Sequence, residues 1–415
     1  MHIIRRAKIE DVDTLLKLSK MVHFINLPPD REIITEKILR SRDCFKHVAR
    51  GEPLDDDPKP ARGGAGNGPG GGLKKTLSET KLFMFTLEDT ETGAVLGSSQ
   101  LVSSMGGPGN PNVSFKLTER SFYSESLHTG VTHKVATLNL DESSPTEIGG
   151  LILQPAYRAH KARLGRLLSF VRFHFMGVYR EHFADHVLAE MMAPISDSGD
   201  NEFWDAFGRR FINLSYDEAD RFCQYSREFM FTLLPRDDIY LTLLPAKARR
   251  GVGQVGKDTA PARRMLEKLG FRYEGVIDPF DGGPHLHAST DDIPLVRATR
   301  RVTLGKAAAP SACKGLAILS SLDTEGSYLA VQSPLVERSG RVSIPKDTMA
   351  ALGVGEGDEV ALTVIDPMPT LEEPGSKPAE KDRAKKRAAH KKSAKSSTSK
   401  KTAKTAKKTR RKNAG

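Results

Sequence analysis

Five basic residues in nine positions, Arg158, His160, Lys161, Arg163 and Arg166, surround Gly165. They follow the apolar run Ile148–Leu153 and a break at Pro155-Ala156-Tyr157-Arg158. They lead into a segment of helical periodicity from about Arg163 to Arg180. A helix N-terminus presents unpaired N–H groups and a partial positive charge, and can seat a pyrophosphate. At Gly165 the missing side chain lets a ligand approach the backbone. An ordinary strand-to-helix connection with a solvated basic face is the other reading this spacing allows. Glu190 closes a second apolar run, His186–Met191, where a buried carboxyl serves as a base or pairs with an arginine. His285 and His287 flank Leu286 just after Asp281-Gly282-Gly283-Pro284. They can move protons near neutral pH or be a pair of surface-loop imidazoles. Two histidines without a nearby third ligand rarely hold zinc, so no metal is expected.

The elements that must position these groups alternate between periods. Ile3 and Ile4 predict a strand, and Val12, Leu15, Leu16 and Leu18 predict a helix entered through acidic residues at Glu10–Asp13. A second helix is predicted over Arg31–Arg42. Residues 53–72 end in a Gly-rich run, a composition that buries too little apolar surface to offset its ordering entropy, so a flexible surface insertion is expected. Leu82–Leu87 and Ala94–Ser103 predict a hairpin turning at Gly93. Residues 105–146 suggest further short strands and loops. In the helix after Arg163, Leu164, Leu167, Leu168, Val171, Phe175 and Val178 define one apolar face. Residues 196–250 mix helix and strand around Trp204. Thr259–Leu269 is a compact helix stopped by Gly270, Phe271–Ile277 a strand, and 300–366 a small β-rich unit.

Composition sets aside several classes. The 415 residues include 63 Lys+Arg and 52 Asp+Glu, a net charge of +11. Residues 371–415 hold 17 of the bases and 4 of the acids, so the rest carries 46 against 48 and is near neutral. Three dispersed cysteines form no CxxC pair and predict neither a disulfide scaffold nor a cysteine zinc site. No apolar run approaches the roughly 18 residues of a membrane span, and charged residues precede any apolar stretch at the N-terminus. A cytoplasmic protein without membrane contact is expected. There is no GxSxG-type nucleophile motif.

The arrangement strand-helix, hairpin, strand-loop-helix, strand, then a late helix ending Glu267-Lys268-Leu269-Gly270-Phe271 resembles the GNAT N-acyltransferase fold, an α/β class built on a mixed sheet. Within it, Leu87-Glu88-Asp89-Thr90-Glu91-Thr92-Gly93, Ala189-Glu190-Met191, Phe203-Trp204, Gly208-Arg209-Arg210-Phe211, Gly253-Gln254-Val255, Thr259-Ala260-Pro261-Ala262-Arg263 and Phe280-Asp281-Gly282-Gly283-Pro284 are similar to the arginine N-succinyltransferase family, in the same order over about 1–365. The resemblance implies transfer of succinyl from succinyl-CoA to the α-amino group of L-arginine, or of a related amine, in arginine catabolism. It places a succinyl-CoA contact at Leu151 on the strand Leu151-Ile152-Leu153, with Arg163, Gly165 and Arg166 in the CoA loop. Arg163 stands where loops of this type usually have glycine. The family's proton donor is a histidine after Gly-Gln-Val, and Gly256 occupies that position, leaving Glu190, His285 and His287 as the candidate catalytic groups.

The expected organisation is therefore an acyltransferase region at 1–299, a β-rich unit at 300–366 and a disordered Lys-rich tail at 367–415, in a homo- or hetero-oligomer. Gly340-Arg341-Val342-Ser343-Ile344-Pro345-Lys346 resembles a swapped-hairpin DNA-binding unit, but its surroundings are acidic and a structural β-unit is favoured. Lys381–Lys412 contains no aromatic residue and resembles histone-like tails. It can bind nucleic acid without sequence preference, or act as a solubilising extension. The alternative to the enzyme is accordingly a catalytically lapsed relative that binds nucleic acid through residues 371–415.

Overall fold

The computed structural model describes residues 1–20, 27–54, 81–194 and 201–366. The expected Gly-rich insertion, from residue 55 onward, and the basic tail at 367–415 lie outside the described residues. The remainder is mixed α/β around one large sheet. Its strands are β1 (His2–Arg6), β2 (Leu82–Asp89), β3 (Ala94–Val102), β4 (Asn112–Ser124), β5 (Thr129–Asp141), β6 (Thr146–Leu153), β7 (His186–Glu190), β8 (Ile239–Tyr240), β9 (Arg272–Ile277), β10 (Pro284–Ser289), β11 (Thr299–Thr303), β12 (Gly315–Leu322), β13 (Tyr328–Arg338), β14 (Arg341–Ser343) and β15 (Glu359–Asp366). The order across the sheet is β11-β15-β12-β13-β1-β2-β3-β6-β7-β10-β9-β4-β5-β8, with β14 on β13. The strands of 300–366 thus continue the sheet, through Ile3 opposite Val331.

Period-2 alternation sorts the core. On β2, Leu82 and Met84 face the helix α1 (Val12–Ser19), whereas Phe83, Phe85 and Leu87 face the opposite layer, which contains α3 (Leu164–Val178). Between them in sequence, α2 (Arg31–Ala49) starts at Asp30, whose carboxylate accepts from the Glu32 and Ile33 amides. It runs seven residues past the expected Arg42, because nothing breaks it before Gly51, at φ +65°.

Two further expectations are corrected. Residues 105–146 hold a long hairpin rather than short strands: β4 and β5 are 13 residues each and pair from Asn112 opposite Asp141 to Ser124 opposite Thr129. Its outer half is exposed on both faces, so no alternation marks it in the sequence. In addition, α3 is not a one-faced helix. Every residue from Leu167 to Met176 is buried, between β3 and β6 on one side and Pro294–Arg297 with β11 on the other. Arg172 and His174 are enclosed along with the apolar residues.

Candidate active site

Among the described residues all neighbouring strands are antiparallel except β6 and β7, which run parallel and pair at Thr146–Val187 and Glu147–Leu188. Beyond that point β6 continues beside β3 and β7 beside β10, so the sheet opens between Ile148–Leu153 and Ala189–Glu190. The β6 ladder is irregular here, between Ser98 and Gln100 on β3. Gly150 takes φ +56°, and a Cβ there would lie 2.8 Å from Gln100 side-chain atoms. Only glycine fits that bulge.

Antiparallel pairing sets His285 opposite Glu190 and His287 opposite Leu188. The histidines therefore lie on a strand, which excludes the surface-loop alternative. His285 is 1% exposed, and its Nε2 has no hydrogen-bond partner. It faces Asp278 Oδ2 at 3.7 Å and Glu190 Oε1 at 3.9 Å, both longer than a hydrogen bond. His287 is half-buried on the same face, with ring centroids 6.5 Å from His285, and burial lowers its pKa.

Asp278 comes from the turn that joins β9 to β10. Its Oδ1 accepts from the Phe280 and Asp281 amides at 2.7 and 3.1 Å, which turns Oδ2 toward His285. Asp281 Oδ1 accepts from the Gly283 amide at 2.7 Å and its Oδ2 from the Ala193 amide at 2.8 Å, binding this turn to the exit of β7. A Cβ on Gly283 would meet the Met191 carbonyl oxygen at 2.0 Å, so the close approach depends on glycine.

Glu190 and Asp278, with Asn112, Cys223, Arg227 and Phe280, line a narrow cleft that is open at one side. Burial raises the Glu190 carboxyl to about 7; Glu147 and Asp278 push the same way, while His285 opposes them. Burial and Asp278 likewise raise Asp281 to about 7. Burial alone would lower His285, but Asp278, Glu190 and Asp281 reverse that and raise it. Arg227 donates to Asn112 Oδ1 at 3.3 Å. Burial works against its charge, yet the Glu190, Glu147 and Asp278 carboxylates oppose this and raise its pKa. The Cys223 thiol, pushed by burial to about 12, is no nucleophile at neutral pH. The arrangement can bind a molecule bearing both signs of charge and take a proton from it.

At the other end of β6, Leu151 is half-buried, while Ile152 packs into the α1 layer and Leu153 into the α3 layer. Arg163 is exposed and left-handed (φ 52°, ψ 49°), and its carbonyl accepts from the Arg166 and Leu167 amides. No side chain caps α3. Gly165 has room, a Cβ there lying 3.6 Å from Leu153. Arg166 does not project freely; its guanidinium sits 5.7 Å from the Phe170 ring centre and its Nε is unpartnered. Arg158 pairs with Asp258 at 3.0 Å, tying this loop to the turn that holds Gly256. The Gly256 amide donates to the Met192 carbonyl at 3.2 Å, so position 256 adjoins the exit of β7.

Sequence reasoning found Glu190 and His285 but not Asp278, Arg227 or Asn112. These arrive from three distant segments, and no local spacing joins them. Only Asp278 carried a signal, two residues before the Phe280–Pro284 motif.

The family model described as arginine N-succinyltransferase beta subunit matches residues 73–295. The arginine N-succinyltransferase of Photorhabdus laumondii is 30% identical over 370 residues, covering 88% of this chain and 99% of that protein. The enzyme of that name from Escherichia coli strain 55989 is 32% identical over 365 residues, covering 87% and 97%. The solved arginine/ornithine succinyltransferase subunit AI from Pseudomonas aeruginosa superposes with a TM-score of 0.68 at 27% identity, over 88% of this chain and 98% of that one. The motifs along the sequence and these similarities over most of the chain agree: the chain belongs to the arginine N-succinyltransferase family of acyltransferases.

Proposed function

We propose that this protein transfers the succinyl group of succinyl-CoA to the α-amino group of L-arginine, on a GNAT-type acyltransferase core. The observation that carries this reading is the cleft at the end of β7, where Glu190, Asp278 and Arg227 converge. Arg227 supplies the cation for an amino-acid carboxylate, and the two carboxylates suit the amine and guanidinium. The basic residues Arg158, Lys161 and Arg163 at the start of α3 suit the CoA phosphates, and the backbone of Gly150–Leu151 suits the thioester carbonyl.

In the transfer, Glu190 takes a proton from the arginine ammonium, and the freed amine attacks the thioester carbon. A C–N bond forms, the C–S bond breaks, the nitrogen gives up its second proton to solvent, and the departing thiolate takes a proton from the Glu190–His285 pair, because Gly256 has no side chain to offer one. Proximity and electrostatic stabilisation carry much of the rate. No covalent enzyme intermediate is needed.

The test is thiol release by the full chain from succinyl-CoA, with and without L-arginine, and with L-ornithine and L-lysine as competing acceptors. Arginine-dependent release is expected. Succinyl-CoA binding without release on any of the three acceptors would overturn the reading.

A further inference from the structure

Arg172 lies in the middle of α3, 3% exposed, in a segment where every neighbour is buried. Its guanidinium reaches only neutral partners. Nη2 donates to Ser169 Oγ at 2.7 Å, Nε to the Ser169 carbonyl at 3.1 Å, and Nη1 to the Gly149 carbonyl at 3.4 Å. Among the described residues no carboxylate pairs with it. A buried charge without a counter-ion is among the most costly groups a fold can enclose, and such groups are normally paired. Burial pulls Arg172 down to about 9, which still leaves it charged at neutral pH.

Its position suggests what the charge is for. Gly149 is the residue before the left-handed Gly150, at the point where β6 has lost β7 as a partner. Arg172 is eight residues, about 12 Å along the axis, from the start of α3. On the proposed function, that start takes the CoA phosphates and the bulge the thioester. An N–H donated to the Gly149 carbonyl polarises the Gly149–Gly150 peptide. In a medium of low dielectric, the formal charge also raises the potential around the bulge.

Resting on the succinyl-transfer reading, we infer that Arg172 is a positioning residue for the transition state: its buried, unpaired charge, acting through the Gly149–Gly150 peptide, stabilises the oxyanion that develops on the thioester carbonyl. It does so from behind the strand, without touching substrate. The oxyanion's negative charge is then the counter-ion that the resting fold withholds, and it exists only during transfer.

This gives activity and stability opposite signs. Arg172→Met fills a similar volume and removes the buried charge. The full-length variant should melt at the same or a higher temperature, lose about 10- to 100-fold in kcat and keep its KM for succinyl-CoA within about twofold. Arg172→Lys, which keeps a charge, should recover part of that loss. A second readout needs no acceptor: in isotope-edited infrared spectra of bound succinyl-CoA labelled with 13C at the thioester carbonyl, the band should lie at lower frequency in the wild type than in Arg172→Met. Wild-type kcat together with an unshifted band in Arg172→Met would overturn the inference. So would a lower melting temperature with kcat intact, the result for a purely structural arginine. If Arg172→Met does not fold, Arg172→Gln supplies the same comparison; failure of both to fold also overturns the inference, by making the guanidinium a requirement of the fold. A wild type that neither binds nor turns over succinyl-CoA defeats the functional reading itself, a result separate from all of these.

Discussion

Glu190 is held where ionisation is costly, raised by burial to about 7, and that sets its expected behaviour as a base. Below its pKa it carries its own proton and cannot accept the amine's, so kcat should rise with pH through about 7 and then level. Using kcat rather than kcat/KM removes the titration of free arginine from the profile. Glu190 and His285 face each other at 3.9 Å, so the limb belongs to the pair. Glu190→Gln keeps the shape and removes the proton acceptor; kcat should fall by about 10²- to 10⁴-fold and the limb should disappear. A pH–rate profile of wild type and variant decides this. A uniformly lower profile that kept its limb near 7 would place the base elsewhere in the cleft.

Strand and helix ends carry the rest of the site, and the turn into α3 shows how. Arg163 occupies a left-handed conformation that costs an L-residue about 1–2 kcal/mol. Arg163→Gly removes that cost but adds about 0.5–1 kcal/mol of unfolded-state entropy, so stability should hold or rise by up to about 1.5 kcal/mol. The lost guanidinium should weaken CoA binding by about fivefold, the scale of one partly exposed charge-assisted contact. Thermal melts and calorimetric titration with CoA test both halves, and unchanged affinity would mean that Arg163 is only a strained turn residue. This turn was legible in the sequence because apolar run, proline break and helical period succeed one another locally. The strand under His285 was not, because Gly282-Gly283-Pro284 has the composition of a loop. Pairing with β7 makes it a strand, and Gly283 is there to clear the Met191 carbonyl. Arg172 was hidden for a related reason: the periodicity of α3 marks one apolar face, whereas tertiary packing buries the other face too.

Across the whole molecule, charge is divided unevenly along the chain, and the division bears on what a polyanion would meet. Residues 1–370 carry 46 Lys+Arg against 48 Asp+Glu, and residues 371–415 carry 17 against 4. No helix among the described residues is long and apolar enough to cross a membrane. A near-neutral body offers little long-range attraction to nucleic acid, whereas each phosphate neutralised by a lysine of the tail releases condensed counterions. Binding to duplex DNA should therefore weaken linearly in log K against log salt, with a slope of about −0.9 per phosphate contacted. Removing residues 371–415 should abolish most of that slope and leave arginine-dependent thiol release unchanged, because every group placed in the cleft lies between Asn112 and His285. Fluorescence anisotropy at four or five salt concentrations, on full-length and shortened protein, measures the slope. If the slope survives the deletion, a basic surface of the folded body must be contacting the phosphates despite its balanced charge. If it vanishes while turnover persists, nucleic-acid binding and catalysis are separable properties of one chain, and the tail's lysines cannot be counted as evidence for or against the enzyme.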